Sequence, residues 1–309
     1  MICRLFQRAV RASLLTALLT AWAPRLASAQ HRYGQTYASR ADNRINELPR
    51  YGGLLKTPEM LATDERFVAE ALRKYSSPQA AMQAHVNFGW HYLATGHTPT
   101  AIKRFNQAWL LDSTAADVYY GFSAYLRQLN RPTEAAQYEQ MAQRRDKNNV
   151  ARVQYLASLA YGQSLRRDYA SAIATNEQIL ALDPNNAFSY SRIGFWLMQQ
   201  DTARANYAAA VADFTAAIHI NPHFISAYAN RALAYHDNGN YPAAIADWQS
   251  CLTLVPGRDK GQFYRLIGMA KLRTNDKPGA CEALAEALRW GDAPATEKEM
   301  RRLVKTNCP

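Results

Sequence analysis

Six stretches of one 309-residue chain are versions of each other. Residues 240–256 read NYPAAIADWQSCLTLVP, 206–222 read NYAAAVADFTAAIHINP and 168–184 read DYASAIATNEQILALDP. Weaker copies occupy 97–113 (HTPTAIKRFNQAWLLDS), 131–147 (RPTEAAQYEQMAQRRDK) and 276–292 (DKPGACEALAEALRWGD). Counted from the last residue of each copy, the steps are 34, 37, 38, 34 and 36 residues. A period near 34 is the length of a helix–turn–helix unit, so the repeat predicts stacked helical hairpins rather than one closed core.

A second helical pattern precedes the copies: MQAHVNFGWHYLATG before the first, ADVYYGFSAYLRQLN before the second and ISAYANRALAYHDNG before the fifth. In that last pattern Tyr228, Ala232 and Tyr235 recur at four- and three-residue spacing on one helix face, and Ala244, Trp248 and Cys251 do the same on the next helix. Gly239 marks the turn between them and Pro256 the stop. Small residues such as Gly89, Ala101, Ala232 and Ala244 let two backbones approach. Phe105, Phe214 and Trp248 fill the space between one hairpin and the next, each burying roughly 150–250 Å². The two longer steps predict insertions, one near 201–206 in the turn of the fourth unit and one around 150–152 or in the turn that follows.

An aromatic–small–aromatic first helix, a small–aromatic–small second helix and a closing proline together resemble the tetratricopeptide repeat. Residues 82–115 match best, with Phe88, Gly89, Tyr92, Gly96, Ala101, Phe105 and Ala108. Residues 187–224 carry Tyr190, Gly194, Ala210, Phe214, Ala217 and Pro222. The 116–149 unit has Ser123 where glycine is usual, Glu139 for the aromatic and Lys147 for the proline. The 150–186 unit departs most, with Asn176 in the aromatic place and an ambiguous first-helix register. The resemblance covers about two thirds of the chain. It implies an all-α, right-handed superhelical solenoid of about six hairpins over 82–292, divided as 82–115, 116–149, 150–186, 187–224, 225–260 and 261–292.

The ends read differently. MICRLFQRAVR carries three arginines, ASLLTALLTAWAP is apolar, and Ala27–Ala29 is a small-x-small site. This order predicts a secretory signal over 1–29, too short in its apolar run to span a bilayer. The expected location is periplasmic or secreted, with no stable membrane span after cleavage. Loss of Arg4, Arg8, Arg11 and Arg25 leaves 32 basic against 25 acidic residues, about +7. That charge is diffuse, which favours acidic partners weakly and gives no reason to expect nucleic acid.

Residues 30–81 are predicted to be an extended lead-in to residue 56 followed by one helix. Thr57 caps it and Pro58 opens it, while Ser77 and Pro78 repeat the device before the first hairpin. The run from YGGLLKTPEMLATDERFVAE to RFNQAWLLDS resembles a subgroup of exported bacterial repeat proteins. Residues 293–309 are predicted to be a capping helix, with Thr296 and Glu299 as a capping box and Met300, Leu303 and Val304 on its inner face. In an oxidising compartment Cys281 and Cys308 are expected to pair and staple this cap, whereas Cys251 is expected to be a buried free thiol.

Chemistry is scarce. His219 and His223 are four apart but Pro222 separates them, and His91 and His97 straddle a helix end. YGG is a turn rather than a phosphate loop, and YGQSL lacks the second glycine of a nucleophile elbow. No metal, cofactor or catalysis is expected. What remains is the concave wall made by the first helices of a repeat stack. The register places Asn87 and Trp90, then Tyr120, Ala124 and Arg127, on that wall. Tyr161, Arg192, Phe195, Asn230, Leu233, His236, Arg265 and Met269 follow. Amides there suit a ligand backbone, aromatics form pockets and arginines grip carboxylates. The expected function is a non-catalytic scaffold for a peptide or protein segment. A peptide-holding chaperone-like module and a glycan- or cell-wall-binding protein are the alternatives. Repeat domains of this kind that clamp a carboxyl-terminal carboxylate need Lys and Asn where this chain has Val86 and Trp90, so that ligand is disfavoured.

Overall fold

The computed structural model describes residues 44–200, 204–291 and 294–308, which contain fourteen α-helices and no strand. The signal segment, residues 30–43 and the first half of the insertion expected near 201–206, residues 201–203, lie outside the described residues. Helix α1 is Pro58–Lys74, followed by the pairs α2 (Pro78–Ala94) with α3 (Thr98–Leu111) and α4 (Ala116–Gln128) with α5 (Pro132–Gln143). Then come α6 (Val150–Leu165) with α7 (Tyr169–Leu182), α8 (Ala187–Gln200) with α9 (Arg204–Ile220), α10 (Ile225–Asp237) with α11 (Tyr241–Leu254) and α12 (Lys260–Arg273) with α13 (Lys277–Trp290). Helix α14 (Pro294–Asn307) ends the chain. The fold is therefore all-α, with helices in sequential hairpins. It divides into two units, one ending at Ser158 and one beginning at Leu159.

One local device builds most of the hairpins. Gly96, Asn130, Arg167, Gly239 and Asn275 all take positive φ, between 58° and 81°. In each case the next residue's N–H donates to the carbonyl five residues back, as from His97 to Tyr92 at 2.8 Å and Asn240 to Tyr235 at 2.8 Å. This is the bond that closes a helix end with a left-handed residue, where glycine and asparagine are least strained. The same following residue often opens the second helix: Asp168, Asn240 and Asp276 accept from Ser171, Ala243 and Gly279 N–H groups. Sequence thus sets the turn, and the turn sets the antiparallel pair. At the front, the Thr57 and Ser77 side chains accept from Met60 and Ala80 N–H groups, as their positions predicted.

Packing follows the small–aromatic alternation. In the first unit Phe105 is fully buried, and a Cβ added to Gly89 would lie 2.5 Å from its ring. A Cβ on Gly121 of the next hairpin would strike the same ring. The second hairpin, lacking an aromatic at Glu139, uses its neighbour Tyr138, whose ring lies 5.4 Å from that of the buried Phe122. In the second unit Asn176 is fully buried and bonds its own helix at the Ala172 carbonyl. Trp196 of α8 packs on Ala160 and Ala172 beside it, supplying the aromatic that this hairpin lacks. Trp248 gathers Ala232, Ala244, Cys251, Phe263 and Ile267 into one cluster. The extra length of the third unit is absorbed in helix: α6 has 16 residues where α4 and α10 have 13.

The ends required two corrections. Residues 44–53, expected to be loose, form short 3-10 turns with Ile45 and Tyr51 buried. Their anchor is Asn106 on α3, whose amide donates to Asn46 and Leu48 carbonyls and accepts from the Arg50 N–H at 2.8 Å. Tyr125 adds a bond to the Glu47 carbonyl at 2.6 Å, so this strap is held by partners far away in sequence. At the other end α14 begins at Pro294, which puts Thr296 inside the helix rather than at its cap. Met300 is nonetheless fully buried against Leu284 and Ala287, with Leu303 and Val304 beside it. Cys281 and Cys308 form a disulfide with Cα atoms 5.7 Å apart, while Cys251 is a buried free thiol.

The bond spans 27 residues, so its loss is expected to cost the second unit about 2–4 kcal/mol. Urea unfolding of Cys308→Ala checks this. The parent protein should fall to the variant's stability when dithiothreitol is added, and the variant itself should not respond.

Candidate functional site

Two separate walls of first helices bear the residues singled out from sequence, and they differ. In the first unit the wall is filled by the chain itself. Tyr155, from the start of α6, stacks on Tyr120 with ring centroids 5.0 Å apart and planes at 11°. Tyr120 is consequently only 1% exposed and its hydroxyl has no hydrogen-bond partner among the described residues; burial pushes its pKa up to about 12. Its expected role as a ligand contact is therefore overturned by packing. Trp90 lies between Phe105, at 5.3 Å, and Tyr155, at 5.8 Å. Ala124 is buried. Arg127 is taken up by Glu139 at 2.5 Å, a bond that raises its pKa further. Asn87 and Arg127 are exposed, and Asn87 is linked through Gln83 to Gln154 on α6. Sequence reasoning missed Tyr155 because the register of that first helix was ambiguous.

The second unit leaves its wall open. Tyr161 is 50% exposed, Phe195 43% and Leu233 38%, values high for large apolar side chains in a folded chain. Phe195 stands one turn from Arg192 on α8, and α8 is in contact with α10, which carries Asn230 and Leu233 one turn apart. Arg192 is half-buried, and burial lowers its pKa. Among the described residues it has neither an ion pair nor a hydrogen bond. Asn230 is partly exposed. His236 is engaged by Asp237 at 2.9 Å and by the rings of Tyr241 and Trp248. Arg265 lies against the Met269 sulfur at 3.8 Å. In Arg192 the wall thus offers a partly desolvated cation, unneutralised among the described residues and bordered by apolar surface.

A different arginine shows what the fold does when a cation is structural. Arg231 on α10 donates to both oxygens of Asp247 on α11, at 2.8 and 2.7 Å, and to the Thr215 hydroxyl on α9 at 2.9 Å. Both members of that pair are largely buried, and the bonds tie three helices together. Arg192 has no such set.

Among the described residues no group of three or more His, Cys, Asp or Glu side chains is placed to hold a metal ion, and no helix is long and apolar enough to cross a membrane. No known family profile matches the chain. Among solved structures it is similar to PilF of Pseudomonas aeruginosa, at 16% identity over 73% of this chain and 98% of that one, with a TM-score of 0.47. It is also similar to MamA of Desulfovibrio magneticus RS-1, at 22% identity over 57% of this chain and 94% of that one, with a TM-score of 0.44. The Cut9–Hcn1 hetero-tetramer of the APC/C gives 16% identity over 74% of this chain and 43% of that one, with a TM-score of 0.46.

Proposed function

We propose that this chain is a non-catalytic scaffold of an exported, oxidising compartment, and that the first-helix wall of its second unit binds an acidic, apolar-containing peptide segment of another protein. The observation that carries this reading is Arg192, which is half-buried without a partner among the described residues and bordered by the exposed Phe195 on its own helix. A guanidinium taken part-way out of water gains most from a carboxylate that grips it through two N–H donors. The flanking apolar residues supply area, and the Asn230 amide is able to pair with a ligand backbone. The surplus of basic residues favours the same partner charge. The Cys281–Cys308 bond supports the compartment, since such bonds persist where the surroundings are oxidising.

Fluorescence anisotropy with a labelled peptide of alternating Glu, Phe, Asp and Leu tests the reading. Arg192→Ala should weaken binding about tenfold or more, the loss of a charged hydrogen bond worth about 1.5–3 kcal/mol. Raising salt should weaken the parent and leave the variant nearly unchanged. Binding that ignores both changes would contradict the reading. Trp90→Ala, in contrast, removes packing with Phe105 and Tyr155 and should lower stability rather than affinity.

A further inference from the structure

A second, chemically different site lies in the first unit, where α1 leans on the first hairpin without closing against it. A cleft of about 380 Å³ opens there between α1, α2 and α3. Its walls are aromatic: Phe67 and Tyr75 come from α1 and its end, Phe88 and Tyr92 from α2. Phe88 sits at a position where the repeat pattern calls for a buried aromatic, yet it is 45% exposed. His85 is the buried part of the wall, 7% exposed, with its ring 5.1 Å from that of Phe67, 6.3 Å from Tyr75 and 6.2 Å from Phe88. Among the described residues its buried Nδ1 has no hydrogen-bond partner, an arrangement that costs free energy.

The charges at this cleft are uneven. Lys74 and Arg104 both line it, against the single acid Glu70. Among the described residues neither cation has a carboxylate partner: Lys74 lies 5.7 Å from the Tyr75 ring, and Arg104 donates to the Gln107 amide oxygen at 2.9 Å and stands 5.9 Å from the Phe88 ring. Burial, helped by the nearby Arg104 and Lys74 and opposed by a side-chain hydrogen bond with Gln107, brings the His85 pKa down to about 4 and leaves it neutral at physiological pH. The described lining of the cleft therefore carries two positive charges against one negative.

We infer that this cleft between α1 and the first hairpin binds a small planar aromatic monocarboxylate. Stacked and edge-on rings select a flat apolar body, since aromatic pairs gain beyond the area they bury. The net single positive charge selects one acidic group, gripped by Arg104 or Lys74. The volume suits a compact ligand of one or two fused rings.

Calorimetric titration of the protein with 1-naphthylacetate, and with the uncharged 1-naphthylacetamide as its match in shape, tests the site. The expected result is saturable one-site binding of the acid, with the amide about tenfold weaker, the size of one charged contact. Lys74→Gln combined with Arg104→Gln should reduce acid binding to the level of the amide while leaving the amide unchanged. Phe88→Ala should weaken both ligands without lowering thermal stability, because this ring is already half in water. Arg192→Ala should change neither, which separates this site from the peptide wall. Absence of saturable binding would overturn the inference. Equal affinity for acid and amide, or binding unaffected by the Lys74 and Arg104 changes, would do the same. Tighter competition by a tripeptide ending in Phe than by naphthylacetate would assign the cleft to a polypeptide end instead.

Discussion

Phe105→Ala is expected to destabilise the first unit by about 3–5 kcal/mol, the cost of emptying a fully buried aromatic site. The ring is held between Gly89 on α2 and Gly121 on α4, so it joins the two helices of one hairpin to the next hairpin. The same geometry makes a less obvious prediction. Replacing helical glycine by alanine ordinarily favours the helix by about 0.8–1.0 kcal/mol. At Gly121 the new Cβ would collide with the Phe105 ring, and Gly121→Ala should therefore destabilise. Combining Gly121→Ala with Phe105→Leu should recover part of the loss, because the branched side chain is able to withdraw from the Cβ. Thermal and urea unfolding of the two single variants and the double variant measure this coupling. Additive effects would mean that the ring and the glycine do not share space.

The second large effect belongs to the buried pair in the second unit. Asp247→Ala leaves the Arg231 guanidinium without its two carboxylate bonds in a site where the side chain is 17% exposed. Breaking such a pair from one side costs about 3–5 kcal/mol, most of it from the stranded charge. Replacing both members, Arg231→Met with Asp247→Leu, should restore most of the stability, since no charge then remains to be stranded. A loss from Asp247→Ala under about 1 kcal/mol would show that water reaches Arg231 easily and that the tie between α10 and α11 is incidental.

These two cases also show why hairpins were legible in the sequence. Gly239, Asn240 and Pro242 carry turn, cap and first helical turn in four positions, and Trp248 with Ala244 carries the packing, all within a few residues. Local rules therefore specified the helices and most of their buried faces. The strap at 44–53 was not legible, because its order depends on Asn106, more than fifty residues later, and nothing in the strap itself signals that partner. The capping box at Thr296 was misplaced because Pro294 is a stronger start signal than the threonine two residues on.

The binding wall was legible in part, and for a related reason. Repeat register correctly put Phe195 and Leu233 in the open, because the first-helix pattern in those hairpins is regular. It failed at Tyr120, since register says which way a side chain faces and not what lies over it. Tyr155 covers Tyr120 through a third helix whose own register had no clear pattern. Arg192 was named as one arginine among several. Its distinction, the lack of any partner among the described residues, exists only once the acids have been placed in space.

The most direct test of the scaffold account is photo-cross-linking of the acidic peptide to the folded protein from two sites in the second unit. One carries benzoylphenylalanine in place of Phe195 on the first-helix wall, the other in place of Gln178, an exposed residue of the second helix α7. The account predicts adducts from position 195 that are lost with Arg192→Ala, and none from position 178. Adducts from position 178 with none from position 195 would place the interface on the second helices and contradict it.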